Sequence, residues 1–460
     1  MSSLKILFAV RSTNNFHHVK SIVAALCGRG HTVHALFDPR WSKHEGGLGA
    51  VREYKKKFPQ FSYEFSLRRT DRWSTLLFYT REILSYRRYL RVRQGRQSDY
   101  YKDRYEAYLP NFFRAFLRIP YAGNFLKTAF FGAMLKMAER IAPSDKNIIA
   151  AVRRFAPDFF LASPVDLRFA SSELEYLKAA KALGIPSAVP VASWDNLTTK
   201  GLIHVFPDML FVWNDVQKEE AVEHQDFPRE RIRIIGAPMF DEWFSGMEPS
   251  ISREEFCQRH GLRPEDAIIV YLGSSSNMAE DETWLVEKLR DALDNCSDEL
   301  LQRTQMIVRP HPANAKIYEK IKRRNVVIVP KDGDLPDTTQ ALQLFFDTLY
   351  FSSAAVVGAN TTGIIDAMVM GKPAIGILTG EYGKTQEQTK HFRQLLEADV
   401  LKLVRNTEKF PAAVHAILEG KDEHREKRQQ FIKRYIRPRG VETPAGEAAA
   451  REVENMLRNC

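Results

Sequence analysis

Short apolar runs alternate with helical patterns along most of this chain. The first run, KILFAV at residues 5–10, is typical of a buried strand, and apolar positions then recur with helical spacing from His18 to Arg29. HTVHALF at 31–37 has the pattern of a second strand, which Asp38-Pro39 closes. A strand, a helix and a strand in this order predict a parallel, doubly wound sheet, because parallel neighbours need a crossover connection.

The same alternation returns twice further along the chain. Strands are predicted at DFFLAS (158–163), SAVPVAS (187–193), MLFVWN (209–214), IRIIG (232–236), AIIVYLG (267–273), QMIVR (305–309), NVVIVP (325–330), AAVVG (354–358) and PAIGIL (373–378). The pattern loosens at about 237–251, which we interpret as a linker. Ser252 followed by Glu255 then has the spacing of a capping box and predicts a new helix.

Length and composition agree with two domains. A chain of 460 residues exceeds the size of about 250–300 residues at which a single core stops growing. We expect Rossmann-like domains at 1–240 and 251–430, followed by a charged helical tail at 431–460. The four cysteines form no CxxC pair, and neither a signal peptide nor a spanning segment is predicted, which favours a cytoplasmic protein without structural zinc.

The positive charge of the chain is concentrated in one segment. Residues 51–120 hold 17 of the 67 Lys and Arg but only 7 of the 57 Asp and Glu, so the rest of the chain is balanced. The same segment holds 17 of the 51 aromatic residues. Apolar positions recur with helical spacing over 73–90 and 125–137, and we expect a basic, aromatic helical insertion at about 51–140 in the first domain.

Three interpretations of this insertion differ in function. Interleaved cations and aromatic rings suit nucleic acid, through phosphate pairing and base stacking. They equally suit an interfacial helix pair on an anionic membrane surface. The third interpretation is an ordinary helical insertion with a charged face. The amphipathic spacing and the lack of an RNA-binding motif favour the membrane surface over nucleic acid, which we do not expect as a partner.

Polar turns follow three predicted strands of the second half. They are Gly273-Ser274-Ser275-Ser276-Asn277, Arg309-Pro310-His311-Pro312 and Asn360-Thr361-Thr362. Ligands of open parallel sheets bind beyond the carboxyl ends of the strands. Thr361 or Thr362 can cap the next helix, and Arg309 supplies a fixed charge with bidentate geometry. With His311 as a switchable charge, the three turns predict a diphosphate site that needs no metal, although each turn alone is equally typical of a cap or a surface loop.

Two of these motifs resemble those of GT-B glycosyltransferases. IVRPHPAN followed by VVGANTTGIIDAMVMGKPAIGI is similar to the CDP-glycerol glycerophosphotransferase and capsule or surface-polysaccharide transferase group. The resemblance implies a GT-B fold, in which two Rossmann-like domains face a central cleft. It also implies a nucleotide-activated donor, cytidine-linked in preference to UDP-linked, and assigns His311, Thr361, Thr362 and Asp366 to the donor nucleotide.

Candidate acceptor-side residues follow two strands of the first half. His17 and His18 follow KILFAV, where transferases of similar type place a general base, and an imidazole does that work near pH 7. In SWDNLTTKG (193–201), Asp195 is a second candidate base, with Trp194 placed to stack on a sugar. Asn196, Thr198 and Lys200 are candidates to bind hydroxyls or phosphate. The alternatives are a capping or solvent histidine and a polar turn around a buried tryptophan.

Three further acidic positions have weaker interpretations. Asp38 is a third candidate base, and Glu381, beyond PAIGIL, can accept from ribose hydroxyls or simply be a solvated loop acid. Asp332-Gly333-Asp334 matches the Asp-x-Asp that holds a metal in the other large glycosyltransferase class. It has no partner at ligand spacing, so we interpret it as a turn and predict no metal and no cofactor besides the donor.

The combined expectation is a metal-independent glycosyltransferase on the cytoplasmic face of a membrane. It would move a sugar or sugar-like group from a nucleotide-activated donor to a glycan acceptor that is lipid-linked, with residues 51–140 on the anionic membrane surface. A UDP-GlcNAc 2-epimerase-like enzyme is one alternative, and it needs no acceptor. The other is a non-catalytic membrane-binding or nucleic-acid-binding protein with the same fold.

Overall fold

The computed structural model describes residues 3–42, 45–91, 105–106, 109–165, 171–331 and 338–458. The chain forms two compact units, which the backbone connects at two points. The first unit contains Met1–Asp241 together with Arg434–Cys460, and the second contains Glu242–Lys433. The first change from one unit to the other lies within residues 237–251, where the sequence pattern loosens, and falls inside a 3-10 helix at Pro238–Phe244.

The first unit is built on a seven-stranded parallel sheet of order β3-β2-β1-β4-β5-β6-β7. Its strands are β1 (Lys5–Val10), β2 (Thr32–Phe37), β3 (Phe61–Phe65), β4 (Phe159–Ser163), β5 (Ser187–Pro190), β6 (Met209–Val212) and β7 (Ile232–Ile234). Alternate residues of the central strands belong to two separate buried apolar clusters, one on each face. Coverage on both faces explains why these strands are continuously apolar in the sequence.

Helices and short 3-10 segments connect these strands. The helices are α1 (Lys20–Gly28), α2 (Glu45–Lys57), α3 (Arg72–Arg91), α4 (Asn111–Leu117), α5 (Ala122–Lys127), α6 (Ala129–Ile141), α7 (Lys146–Phe155), α8 (Ser172–Ala182), α9 (Asn196–Thr199) and α10 (Asp215–Gln225). A 3-10 helix at Asn14–His18 precedes α1, and another at Arg229–Arg231 precedes β7.

The predicted helical insertion is present and has its own small core. Helices α3 to α6 bury apolar residues that form a cluster separate from the two sheet clusters, with Leu84, Tyr86, Leu126 and Leu135 among its members. Arg81, Arg87 and Arg88 of α3 are also buried. These three arginines are therefore not available to a membrane surface, because their guanidinium groups donate hydrogen bonds to protein groups.

The second unit contains a six-stranded parallel sheet of order β10-β9-β8-β11-β12-β13. Its strands are β8 (Ile268–Leu272), β9 (Gln305–Arg309), β10 (Val326–Ile328), β11 (Ala354–Val357), β12 (Ala374–Ile377) and β13 (Lys402–Val404). Its helices are α11 (Arg253–His260), α12 (Thr283–Asp294), α13 (Glu299–Arg303), α14 (Thr338–Phe351), α15 (Gly363–Val369), α16 (Lys390–Glu397), α17 (Phe410–Leu418) and α18 (Arg425–Phe431). Two 3-10 segments, Pro312–Lys320 and Thr407–Lys409, complete it.

After α18 the chain returns to the first unit. A π-helical turn at Ile432–Ile436 leads to α19 (Ala445–Arg458), whose Ala449 and Val453 share a core cluster with Ile22 and Leu26 of α1. The residues that the sequence suggested as a charged tail thus supply one helix of the first unit's core. Within the described part of the chain, no helix has the length and apolar character required to cross a bilayer.

The predicted fold class is confirmed, since both sheets are parallel and doubly wound. Ser252 caps α11 as predicted, its Oγ accepting a hydrogen bond from the Glu255 amide. Two edge strands, β3 and β13, were not predicted. β3 lies inside the basic segment, whose charge obscures a short alternating run, and β13 has only three residues.

Candidate functional site

Three polar turns of the second unit lie side by side, as predicted. β9, β8 and β11 are neighbours in the sheet, so the turns that follow them share its carboxyl edge. The Gly273 amide donates a hydrogen bond to the Arg309 carbonyl at 2.9 Å, and the Asn360 amide donates to Ser274 Oγ at 3.2 Å. The turns are therefore one hydrogen-bonded cluster.

Glycines allow the close approach of these turns. A Cβ on Gly273 would lie 2.6 Å from the Tyr318 hydroxyl, and a Cβ on Gly358 would meet the Tyr271 hydroxyl and lie 2.6 Å from Leu285 Cδ2. Tyr271 and Tyr318 are fully buried, so neither has room to move aside. Larger residues at these two positions would push the turns apart.

Arg309 is a half-buried cation of this cluster whose side-chain donors are uncommitted. Its guanidinium carbon lies 4.2 Å from the centroid of the Phe345 ring, in a cation–π contact. Among the described residues, no group accepts a hydrogen bond from the guanidinium. Burial lowers the pKa of Arg309, and Asp366 opposes that shift, so the side chain remains a cation. Its planar set of N–H donors matches an oxyanion or phosphate.

Asp366 lies behind Arg309 in a buried position. Burial raises the pKa of this carboxyl to about 7, while Arg309 and a hydrogen bond with Trp243 counteract the increase. A carboxyl this close to the anion-binding cation opposes an anionic ligand when ionised. The direct contact with the nucleotide that the resemblance implies does not fit this buried position, and Asp366 acts on Arg309 only through its charge.

His311 is a neutral hydrogen-bond donor. Its Nδ1 accepts a hydrogen bond from the Ala313 amide at 3.1 Å, which places the proton of the neutral ring on Nε2. Burial, and next the charge of Arg309, lowers its pKa to about 4. The prediction of a switchable charge near neutral pH is therefore wrong, because the ring carries no charge at pH 7.

Ser274 and Asn360 hold the turns together, and they are not open to a ligand. The Ser274 amide donates to Glu282 Oε2 at 2.6 Å, and this serine is completely buried. The Asn360 side-chain amide donates to the Thr385 carbonyl at 2.7 Å and contacts His391 Nε2 at 2.8 Å. Their predicted contacts with the donor are corrected accordingly, because their polar atoms are used inside the protein.

Glu282 organises this cluster and was not identified from the sequence. It is fully buried immediately before α12, and burial raises its pKa. Its carboxyl accepts hydrogen bonds from the hydroxyls of Tyr271 at 2.9 Å and Tyr318 at 3.2 Å, besides the Ser274 amide. An acidic residue at a helix start resembles many surface caps, so no sequence signal distinguishes this role.

The remaining predicted donor residues are accessible to different degrees. Ser275, Thr361 and Thr362 are half-buried at the same edge as Arg309 and His311, whereas Glu381 is exposed in the loop after β12. Thr361 Oγ1 accepts a hydrogen bond from the Gly363 amide at 3.4 Å and so caps α15. The surface available to an anion consists of Ser275, Arg309, His311, Thr361 and Thr362.

The first unit brings His17, His18 and Asp195 together at the carboxyl edge of its own sheet. The two imidazole rings lie 3.9 Å apart. Burial, and then the charge of His17, lowers the pKa of His18 well below its ordinary value, whereas the Ala192 carbonyl and Asp195 act in the opposite direction. His18 Nδ1 is buried without a hydrogen-bond partner among the described residues. The neutral ring thus has a nitrogen that can accept a proton.

The 193–201 loop is a tightly folded turn. Asp195 Oδ2 accepts a hydrogen bond from Thr199 Oγ1 at 2.8 Å and forms an ion pair with Lys200 Nζ at 3.2 Å. Trp194 and Asn196 are each only 3% exposed. The expected stacking of Trp194 on a sugar and the hydroxyl contact of Asn196 do not fit this burial, so the polar-turn alternative describes both residues better.

Asp38 is not an open base. It is completely buried, and the Arg40 side chain donates to both of its oxygens, at 3.1 and 2.7 Å. Hydrogen bonds from Arg40 outweigh the cost of burial and lower the pKa of Asp38. Its carboxylate is committed to this ion pair.

Arg88 and Tyr89 of α3 hold the 193–201 loop in place, a role that no sequence pattern indicated. Arg88 Nη1 donates to the Leu197 carbonyl at 3.0 Å, and its Nη2 donates to the Lys200 carbonyl. The Tyr89 hydroxyl donates to the same Lys200 carbonyl at 2.9 Å. The helical insertion therefore fixes the backbone of the loop that carries Asp195.

No metal site is found in the described ranges, where no group of three His, Cys, Asp or Glu side chains has a geometry that suits an ion. The predicted turn at Asp332-Gly333-Asp334 lies outside the described residues.

Comparisons with known proteins show the fold. No family model matches the chain, and no curated protein matches it. Among solved structures, a UDP-N-acetylglucosamine 2-epimerase is 14% identical with a TM-score of 0.54, over 100% of this chain and 96% of its own. A glycosyltransferase from Rickettsia africae is 10% identical with a TM-score of 0.54, over 100% of this chain and 99% of its own.

A third similar structure contains ligands. The UDP-GlcNAc 2-epimerase from Methanocaldococcus jannaschii, in complex with UDP-GlcNAc and UDP, is 12% identical with a TM-score of 0.52, over 99% of this chain and 100% of its own. The chain therefore has the GT-B fold. At these identities the likeness extends to the fold, which glycosyltransferases and UDP-GlcNAc 2-epimerases share.

Proposed function

We propose that this GT-B protein is an enzyme that binds a nucleotide-activated sugar through Arg309 and transfers the sugar to an acceptor without a metal ion. The observation that carries the proposal is the half-buried guanidinium whose donors no described residue uses. It lies at the carboxyl edge of a parallel sheet, where this fold class binds ligands. The GT-B fold itself is consistent with a nucleotide-sugar substrate.

The chemistry requires stabilisation of a phosphate leaving group. As the glycosidic bond to the donor breaks, negative charge grows on the departing phosphate oxygens. Arg309 lies ready to donate a forked pair of hydrogen bonds to these oxygens, and His311 Nε2–H adds a neutral donor. The hydroxyls of Thr361 and Thr362 and the Ser275 turn complete the proposed contacts.

On the acceptor side we propose His18 as the proton acceptor. Its ring is neutral at pH 7, and its Nδ1 is unused by the described residues. Asp195 favours the protonated ring and would stabilise the imidazolium that forms when an acceptor hydroxyl gives up its proton. His17 opposes that charge and so limits the basicity of His18 in the absence of an acceptor.

The identity of donor and acceptor belongs to the same proposal. The resemblance of the His311 and Thr361-Thr362 motifs to the CDP-glycerol glycerophosphotransferase group favours a cytidine-linked donor. That group, and the apolar basic helices of the insertion, favour a lipid-linked glycan acceptor at the cytoplasmic face of a membrane.

Nucleotide binding tests the proposal directly. Thermal shifts with CMP, CDP, UDP, GDP and TDP are measured on the wild type, Arg309→Ala and Arg324→Ala. Arg324 is an exposed arginine before β10, at the opposite edge of the same sheet, and serves as the matched control. We expect stabilisation by one nucleotide series in the wild type and the control.

Loss of a charge-assisted contact in Arg309→Ala should weaken binding by about 10- to 100-fold. If no nucleotide stabilises the wild type, or if Arg309→Ala binds as well as Arg324→Ala does, the proposal fails.

A 2-epimerase-like activity is the second candidate function. Two UDP-GlcNAc 2-epimerases match this chain over essentially its whole length with TM-scores above 0.5. The two functions differ in the need for an acceptor. Incubation with UDP-GlcNAc alone, followed by proton NMR of the sugar ring, should show no inversion at C2 for a transferase. Inversion at C2 without an acceptor would establish the epimerase instead.

A further inference from the structure

Helix α6 presents apolar side chains to solvent as well as to the core. Its buried face contains Phe131, Gly132, Leu135 and Glu139, which pack towards α3. Its opposite face exposes Phe130 at 73%, Met134 at 45%, Met137 at 55% and Ile141 at 61%. The exposed positions are spaced by four, three and four residues, so they form one stripe. The core of the insertion does not account for this stripe.

Neighbouring helices extend the exposed apolar surface. Four more large apolar side chains here are between 47% and 83% exposed. They are Phe112 of α4, Ile119 and Tyr121 between α4 and α5, and Phe125 of α5. Half of the large apolar side chains exposed by the described residues thus lie within 109–141. A concentration of this kind marks an interaction surface, whereas single exposed apolar residues are ordinary.

The charge within this surface is predominantly positive, although Lys136 Nζ lies 3.8 Å from the exposed carboxylate of Asp226. Residues 109–141 contain five basic side chains, which are Arg114, Arg118, Lys127, Lys136 and Arg140, and all five are exposed. The one acidic residue in this range, Glu139, is buried. Arg81 donates to both of its oxygens, at 2.7 and 2.9 Å, and Lys178 Nζ donates to it at 2.8 Å. The exposed charge of the surface is therefore positive.

We infer that the exposed faces of α4, α5 and α6, called here the apolar basic face, dock onto an anionic lipid bilayer. Apolar side chains with cations beside them suit the boundary between acyl chains and anionic headgroups. These helices have at most 13 residues, so they would lie along the surface.

The sequence led us to expect that residues 51–140 contact an anionic membrane surface. The inference assigns that contact to residues 109–141. Arg81, Arg87 and Arg88 of α3 are excluded because they are buried. The idea that docking brings the enzyme to a lipid-linked acceptor rests on the proposed function. The binding to lipid does not rest on it, because vesicle binding is measured without nucleotide and nucleotide binding is measured without vesicles.

Vesicle flotation tests the inference with the full-length chain. Wild type, Phe130→Glu/Met137→Glu, Arg114→Ala/Arg118→Ala and the control Val216→Glu are mixed with phosphatidylcholine vesicles, either pure or with about one third phosphatidylglycerol. Val216 is a 40% exposed apolar residue of α10 in the same unit. Thermal melting confirms that each variant is folded.

We expect the wild type and Val216→Glu to float with the anionic vesicles, and less with the neutral ones. Removal of two cations should reduce binding about 25-fold, about fivefold for each. The double glutamate variant should lose binding altogether.

Three results would overturn the inference. The first is a wild type that does not bind anionic vesicles at low salt. The second is a double glutamate variant that floats as well as Val216→Glu does. The third is a wild-type dimer in size-exclusion chromatography that the glutamate substitutions dissociate without any vesicle binding, which would assign the face to self-association. A protein that binds nucleotide but not vesicles would refute the docking and leave the proposed function intact.

Discussion

Asp366 and Arg309 interact through their charges, and burial disfavours the charged form of the Asp366 carboxyl. Burial raises the pKa of Asp366 to about 7 even though a guanidinium lies close by. Desolvation therefore outweighs the attraction of Arg309. An arginine held beside a carboxyl that is only partly ionised at neutral pH keeps much of its positive charge available for a ligand, which is what the proposed site requires.

The pair predicts a pH dependence of stability. The unfolded pKa of Asp366 is near 3.8 and the folded pKa near 7, so the folded state binds more protons between these values. Stability from this residue is lost as the pH rises from about 4 to 7, by at most about 1.4 kcal/mol per pH unit. The side chain of Asp366→Asn cannot ionise. The free energy of unfolding of this variant should therefore increase relative to that of the wild type as the pH rises over this range.

Urea denaturation of both proteins at a series of pH values measures this difference. Glu397→Gln, which changes an exposed carboxylate of α16, is the control and should keep a nearly constant offset from the wild type. A constant offset for Asp366→Asn as well would contradict the assigned pKa.

The residues of the site show how far sequence reasoning reaches. It located the three turns correctly, because strand ends and glycines leave a clear pattern. It could not separate Ser274 and Asn360, whose polar atoms are used internally, from Arg309, whose donors are not. That distinction depends on partners distant in sequence, such as Glu282 and Thr385.

At the scale of elements, periodicity identified α6 but not its orientation. The apolar positions of 125–137 were expected to lie on one helical face, and Phe125, Phe130, Met134 and Met137 are all exposed. Leu126, placed in the same stripe, is completely buried. An apolar stripe on a helix is equally compatible with a core and with an external surface, and only the packing of α3 against the other face decides between them.

Helix α3 connects the insertion with the candidate acceptor loop through two adjacent arginines. Arg87 donates to the Leu126 and Thr128 carbonyls at 2.6 Å each, and a Cβ on Gly132 would lie 2.5 Å from the Arg87 guanidinium. Arg88 donates to the Leu197 and Lys200 carbonyls. Helix α3 therefore binds α5 and the start of α6 through Arg87, and it binds the 193–201 loop through the adjacent Arg88.

Arg88→Lys should loosen the loop without unfolding the unit. Lysine keeps the charge but cannot donate to several carbonyls at once, and the loss should amount to about 1–3 kcal/mol. The amides of Thr198 and Thr199, which donate to the Asp195 carbonyl, should exchange their hydrogens faster. Hydrogen exchange followed by mass spectrometry measures this effect.

Arg87→Lys is the matched control, since it also removes a buried guanidinium that caps carbonyls. It should accelerate exchange in α5 and α6 and leave the 193–201 loop unchanged. Equal effects of both variants on the loop would show that α3 transmits general destabilisation, and the specific role of Arg88 would be refuted.

At the scale of the whole molecule, the last helix is structurally part of the first unit. Composition predicted a charged tail, because the sequence of α19 is rich in Glu and Arg. Its inner face is made of alanines and a valine that complete the cluster of α1. Small residues allow close helix packing but contribute little to an apolar pattern, which explains why the sequence did not reveal this contact.

Glu454 ties α19 to the first unit and provides a test of the two-unit organisation. Its carboxylate accepts hydrogen bonds from Arg29 Nε at 2.9 Å and Nη2 at 2.6 Å, and it contacts His31 Nε2 at 3.0 Å. The hydrogen bond from Arg29 is the main cause that lowers its pKa to about 2. The stabilisation is therefore complete above pH 4.5 and is lost as the pH falls towards 2.

Glu454→Gln should destabilise the first unit by about 1–2 kcal/mol at pH 7, because it weakens charge-assisted bonds and leaves His31, which is 2% exposed, with a poorer partner. Urea unfolding with pulsed hydrogen exchange follows each unit through its own peptides. The midpoint for 1–241 and 434–460 should fall, while that for 242–433 remains unchanged. Glu423→Gln, which removes an exposed ion pair with Lys402 in the second unit, should alter neither midpoint. If Glu454→Gln lowers both midpoints equally, the two units unfold as one, and α19 stabilises the molecule as a whole.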